Sequence, residues 1–175
     1  MKKLIFISLL FSILSLSVSA QKPNKAEKAA QLEQEFQQTR QLIESNHFQF
    51  ELNRVYPQDG QDLSRFNPRG KFVITDSVAK GTLPFFGRAY SLPYGEGGGI
   101  EFDGVMKDQS LKIEHKKKRK ILIYRFSITA KNDTYQISME ISGGGNCSVN
   151  LNSNNRAQIS YSGTVSPVKD ETGKS

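Results

Sequence analysis

The strongest candidates for catalysis are Glu96, Glu101 and Asp103, with Arg88 close by in the chain. On a strand, the i, i+2 spacing of Glu101 and Asp103 places both carboxylates on one face at about 7 Å, within the range used by glycosidase acids. Tyr90 and Tyr94 would supply an aromatic wall for a sugar. The chain has no tryptophan, which removes the commonest sugar-stacking surface. The same acids are accounted for more simply as the solvated side of a strand that buries Ile100 and Phe102 on its other side.

Other chemistries have less to work with. A metal site would need both histidines, His47 and His115, to converge with carboxylates, and neither lies in a recognisable ligand spacing. Cys147 is the only cysteine, so it reads as a small buried strand residue rather than as a nucleophile or half of an internal disulfide. Gly143–Gly145 lacks the Gly-Lys-Ser ending of a phosphate loop and separates two strand patterns, so it reads as a turn. No cofactor is implied. Lys116, Lys117, Lys118, Arg119 and Lys120 form a basic run between two alternating apolar segments. This spacing predicts a solvated hairpin turn, with a polyanion site as the alternative. No zinc-finger, helix-turn-helix or aromatic RNA-binding pattern accompanies it, so nucleic acid is not an expected partner.

The carboxylates sit inside a stretch that must position them, Leu83 to Gly104, with two prolines and six glycines among interleaved aromatics. Glycine opens backbone conformations closed to other residues, proline fixes others, and the aromatics give the segment a small core of its own. The composition predicts a long, specifically shaped connection. Two roles fit it: a contact loop displaying Arg88, Tyr90 and Tyr94, or scaffold in which Phe85, Phe86 and Tyr90 enter the core and Arg88 bonds loop carbonyls.

Ahead of this stretch, residues 1–20 have the layout of a signal peptide. Lys2 and Lys3 form a positive start, Leu4 to Val18 is apolar, and Val18, Ser19 and Ala20 offer a cleavage site. The apolar run is shorter than the roughly 20 residues a spanning helix needs, so no transmembrane segment is expected after cleavage. The predicted location is periplasmic or extracellular. Losing the two lysines lowers the net charge of +7 by two, leaving a modestly basic chain.

Residues 21–46 read as one helix, Lys22 to Asn46, with Ala29, Leu32, Phe36 and Ile43 at helical spacing and Ala26 and Leu42 near the same face. Asn24 and Glu27 have the spacing of a capping box. From His47 the period changes to two. Phe48, Phe50 and Leu52 alternate with polar residues, and Phe72, Ile74 and Val78 suggest one strand continuing towards Leu83. Further alternating runs start at Leu111, Leu122, Tyr135, Cys147 and Ile159, the last interrupted by Gly163. The fold expected is α+β: an antiparallel sheet of about eight strands over residues 47–168, curved or barrel-like, packed by one N-terminal helix. Residues 169–175 read as a frayed polar tail.

With these elements placed, FGRAY at Phe86–Tyr90, FDG at Phe102–Gly104 and NNRAQISYSG at Asn154–Gly163 resemble the exported domain-of-unknown-function family 4251, over roughly Leu42 to Val165. The resemblance implies a small exported domain and carries no mechanism. The function expected is therefore a non-catalytic binding or structural module of the envelope or secreted space. Its hypothetical ligand-binding residues are Arg88, Tyr90, Tyr94, Glu101 and Asp103, and a glycan, a lipid or an envelope protein would be the partner. The alternatives are a glycan hydrolase using Glu96, Glu101 and Asp103, and a polyanion binder using Lys116 to Lys120.

Overall fold

The computed structural model describes residues 24–91, 98–116, 119–131 and 133–169. The chain divides into two compact units, Met1–Gln31 and Leu32–Ser175. Residues 1–20, read from the sequence as a signal peptide, lie outside the described residues. Helix α1 (Lys25–Glu44) starts in the first unit, where the Asn24 side-chain oxygen accepts from the amides of Ala26 and Glu27 at 2.8 and 3.0 Å. The Asn24 amide in turn donates to Glu27 Oε2 at 2.9 Å, which completes the reciprocal cap read from the sequence.

Within the second unit, α1 buries Phe36, Thr39 and Ile43, with Leu42 packed beside the core. Leu32 was expected on this face but is 57% exposed, so the buried stripe begins one turn later. The helix also stops earlier than expected. Asn46 takes a left-handed backbone (φ 49°), the conformation that terminates helices, and the chain turns directly into the first strand.

Eight strands follow, β1 (His47–Pro57), β2 (Lys71–Thr75), β3 (Val78–Leu83), β4 (Ile100–Lys116), β5 (Arg119–Thr129), β6 (Thr134–Ser142), β7 (Asn146–Ser153) and β8 (Ile159–Pro167). Each pairs antiparallel with the next, and β8 pairs with β1, closing the sheet into a barrel. Three expectations are corrected. The single strand expected from Phe72 to Leu83 is two, because Asp76 at φ 54° reverses the chain and lets Thr75 face Val78. The long connection ends sooner than its composition suggested: Ile100 to Gly104 is extended backbone, laddered against β3. Lys169, placed in a frayed tail, is held to β1, its ammonium donating to Glu51 at 2.8 Å.

The interior follows from register. Phe50, Phe72, Gly81 and Phe102 face one another across β1 to β4. The Phe50 and Phe72 rings stack at 5.1 Å, and Phe102 is 5.8 Å from Phe72. Gly81 leaves room for this row, since a Cβ there would fall on the Cβ of Phe72. Gly163 does not interrupt β8. A Cβ there would fall on the Glu51 carbonyl oxygen of β1 and stand 2.7 Å from a carbon of the Phe50 ring. Cys147 is buried between β6 and β8, and desolvation, then the Glu140 charge, push its thiol well above the usual range. An inert core thiol results.

Candidate functional site

The outward side chains of β1 to β4 form two rows set by the same ladder. One runs Glu51, Lys71, Thr82, Glu101 and the other Gln49, Val73, Lys80, Asp103. Opposite charges thus stand across neighbouring strands, the arrangement that stabilises a sheet face by a few tenths of a kcal/mol to about 1 kcal/mol per pair. Lys80 donates to Asp103 at 2.6 Å, and that hydrogen bond together with the carboxylate's charge raises the lysine pKa. Glu51 accepts from Gln49 and from Lys169, both at 2.8 Å.

All residues of these two rows but Gln49 line a groove of about 1060 Å3. Leu52 and Gly70 bound it at one side, joined by a 3.0 Å bond from the Leu52 amide to the Gly70 carbonyl. Thr129, Ala130 and Lys131, from the β5–β6 turn, bound it at the other. The turn is closed by the Ala130 amide donating to the Asp133 carbonyl at 2.8 Å. The lining mixes apolar groups (Leu52, Val73 and Phe102) with charges of both signs, a composition suited to orienting a polar ligand.

Glu101 and Asp103 both line this groove, as their i, i+2 spacing requires on the solvated side of a strand. Arg88 and Tyr90 are not among its lining residues. They lie on the connection between β3 and β4, where the Arg88 carbonyl accepts from Ala157 at 2.9 Å and the Tyr90 amide donates to Asn155 at 2.7 Å. The Arg88 side chain is exposed, so it is the backbone of this segment that holds the loop. Phe85 and Phe86 pack against the core as the scaffold reading required, but Tyr90 is 66% exposed and does not enter it. Tyr94 and Glu96 lie outside the described residues. The five residues expected to share a ligand are therefore split, two in the groove and two on the loop.

Of the basic run, Lys116 pairs with Arg119 at the end of the β4–β5 ladder, which makes the hairpin expected; Lys117 and Lys118 lie outside the described residues. Lys116 donates to Glu140 at 2.7 Å. Lys120 donates to both oxygens of Glu33, at 2.8 and 2.9 Å, and stands 5.6 Å from the Phe36 ring centre. Its hydrogen bond lowers the Glu33 pKa. Two of the three described basic residues here are thus matched by acids on their own surface, which weakens the pull on a polyanion.

Sequence reasoning missed the pair that organises this end of the barrel. Arg156 is 5% exposed, its Nε lying 3.7 Å from Asp133 Oδ2 and its guanidinium 5.2 Å from the Phe85 ring centre. Its Nη1 donates to the Gly98 carbonyl at 3.3 Å. Asp133 also accepts from Ser153 Oγ at 2.6 Å and Asn155 Nδ2 at 3.3 Å. The Arg156 backbone bridges Ala89, and Tyr161 donates its hydroxyl to the Pro84 carbonyl at 2.8 Å. This cluster pins the β3–β4 connection, the β7–β8 connection and the turn that walls the groove. The only signal for it in the chain was the NNRAQ segment itself.

Among the described residues, no three His, Cys, Asp or Glu side chains gather as a metal-ligand set, and no helix is long and apolar enough to cross a membrane. No curated protein matches the chain. A crystal structure of a DUF4251 family protein from Bacteroides eggerthii DSM 20697 is similar at a TM-score of 0.56 and 22% identity, covering 79% of this chain and 91% of that one. At that identity the likeness speaks for the fold alone. The sequence profile of the domain of unknown function DUF4251 matches residues 30–165, most of the chain, so the protein belongs to the DUF4251 family.

Proposed function

We propose that this protein is an exported, non-catalytic binding module whose ligand lies in the groove over β1 to β4. The observation that carries the reading is the groove itself. Its volume of about 1060 Å3 is of the size that ligand sites occupy, and it sits on strands, which hold side chains more rigidly than loops do. Charges of both signs beside apolar lining groups suit a polar ligand with a carbon face, such as a glycan segment. The layout of residues 1–20 supports export to the periplasm or the medium.

Hydrolysis by the same acids is the weaker reading. A hydrolytic carboxyl group must be free to reach the scissile bond, whereas Asp103 is held in an ion pair with the Lys80 ammonium at 2.6 Å.

Native mass spectrometry of the protein recovered from its own cells tests the proposal. A reproducible added mass is expected on the wild type and should be lost in Thr82→Trp, which fills the floor of the groove from an exposed strand position. A bare protein, or an adduct that survives this substitution, would overturn the assignment. Glycoside turnover by the wild type that disappears in Glu101→Gln would replace it with the hydrolase reading.

A further inference from the structure

Strand β4 is longer than either neighbour covers. Its first six residues ladder with β3, and contact on that side ends where the Met106 amide donates to the Ser77 carbonyl at 2.7 Å. From Lys107 to Lys116, β4 pairs with β5 alone among the described residues. Lys116 faces Arg119 across a two-residue connection, so this closing pair exchanges backbone hydrogen bonds and alternate residues do the same. Ser110, Lys112, Glu114 and Lys116 therefore direct their backbone groups to β5. The N–H and C=O of Leu111, Ile113 and His115 project off the free edge. Lys112 to Lys116 are all exposed, Ile113 at 40%. Such an edge is a template for another strand.

We infer that this edge pairs antiparallel with the same edge of a second copy, about a two-fold axis through Ile113. Three features of the strand select that occupant and register. The residues whose backbone groups are free fall opposite one another, Ile113 on the partner's Ile113 and Leu111 on the partner's His115, so every bonding group on this segment meets a complement. Lys112 falls opposite the partner's Glu114, and Glu114 opposite the partner's Lys112. These are the non-hydrogen-bonded positions, where side chains approach most closely. Neither residue is engaged in an ion pair within the described residues, so both charges are available. A parallel in-register pairing would instead stack Lys112 on Lys112 and Glu114 on Glu114. The charge order thus permits a closed two-fold pair and opposes open-ended stacking.

Light scattering after size exclusion, over a dilution series of the full-length mature protein, reads the outcome. A mass of twice the protomer is expected at the concentrated end. Lys112→Glu and Glu114→Lys should each weaken association by about tenfold or more, because each sets two like-charge pairs across the two-fold. The double variant, Lys112→Glu with Glu114→Lys, should restore it. Ile113→Pro should abolish association while leaving the barrel folded, since the lost N–H points off the edge. If Ile113→Pro does not fold, the charge exchange still decides. A wild-type protein monomeric throughout, or a dimer insensitive to both charge reversals, would overturn the inference.

Discussion

Removing the Asp133 carboxylate tests whether one buried ion pair holds the loop end of the barrel together. Asp133→Ala leaves the Arg156 guanidinium, 5% exposed, without its counter-ion, and removes the 2.6 Å acceptor of Ser153 Oγ and the 3.3 Å contact to Asn155 Nδ2. Breaking a buried pair by deleting one partner costs about 3–5 kcal/mol, mainly from the uncompensated charge. In a domain of this size, that corresponds to a fall in Tm of roughly 10 °C. The assay is urea unfolding followed by circular dichroism, where the midpoint should fall with little change in slope. Adding Arg156→Met to Asp133→Ala should recover part of the loss, because an apolar side chain carries no stranded charge into the site. Ala130 and Lys131 belong to the turn that Asp133 closes, so ligand retention in the groove should weaken as well. A loss below about 1 kcal/mol, or strictly additive single and double variants, would refute the view that this pair is the anchor of the loop end.

Two further outcomes follow from the core. Gly163→Ala should destabilise the protein by about 1–3 kcal/mol, because the added Cβ falls on the Glu51 carbonyl oxygen of the neighbouring strand as well as against the Phe50 ring, and Phe50→Leu in the same chain should leave much of that cost in place, read as paired unfolding midpoints. Alkaline titration should reveal the buried phenols. Burial pushes Tyr124 up to about 12 from an ordinary value of 10.0, and Tyr161 also rises through burial. A raised folded-state pKa means the unfolded chain ionises first, so stability is intact below about pH 10 and declines as pH rises towards 12. A Tm independent of pH across that window would contradict the burial of these hydroxyls.

Much of the architecture is legible in local patterns. The period-two runs from Phe48, Tyr135 and Cys147 mark strands because alternate side chains point to opposite faces, and Asn24 with Glu27 marks the helix start because the cap closes within four residues. The outward pointing of Glu101 and Asp103 was legible for the same reason. Where local signals competed, reading failed: Leu32 has the right spacing for burial yet lies on an exposed turn, and Asp76 carries no glycine to announce the left-handed turn that splits β2 from β3.

The class of the molecule, the helix cap, the order of the strands and the turns joining β4 to β5 and β6 to β7 are all readable from the chain. Each of those depends on residues a few positions apart. Only the tertiary structure decided closure, since Phe48 meets Pro167 through a pairing no local period encodes. It alone brought Glu51 level with Lys71, Thr82 and Glu101 to make one groove floor, and joined Asp133 to Arg156. Those contacts span residues far apart in the chain, and their existence rests on ladder register and on the burial of charge, quantities that are set when the strands meet.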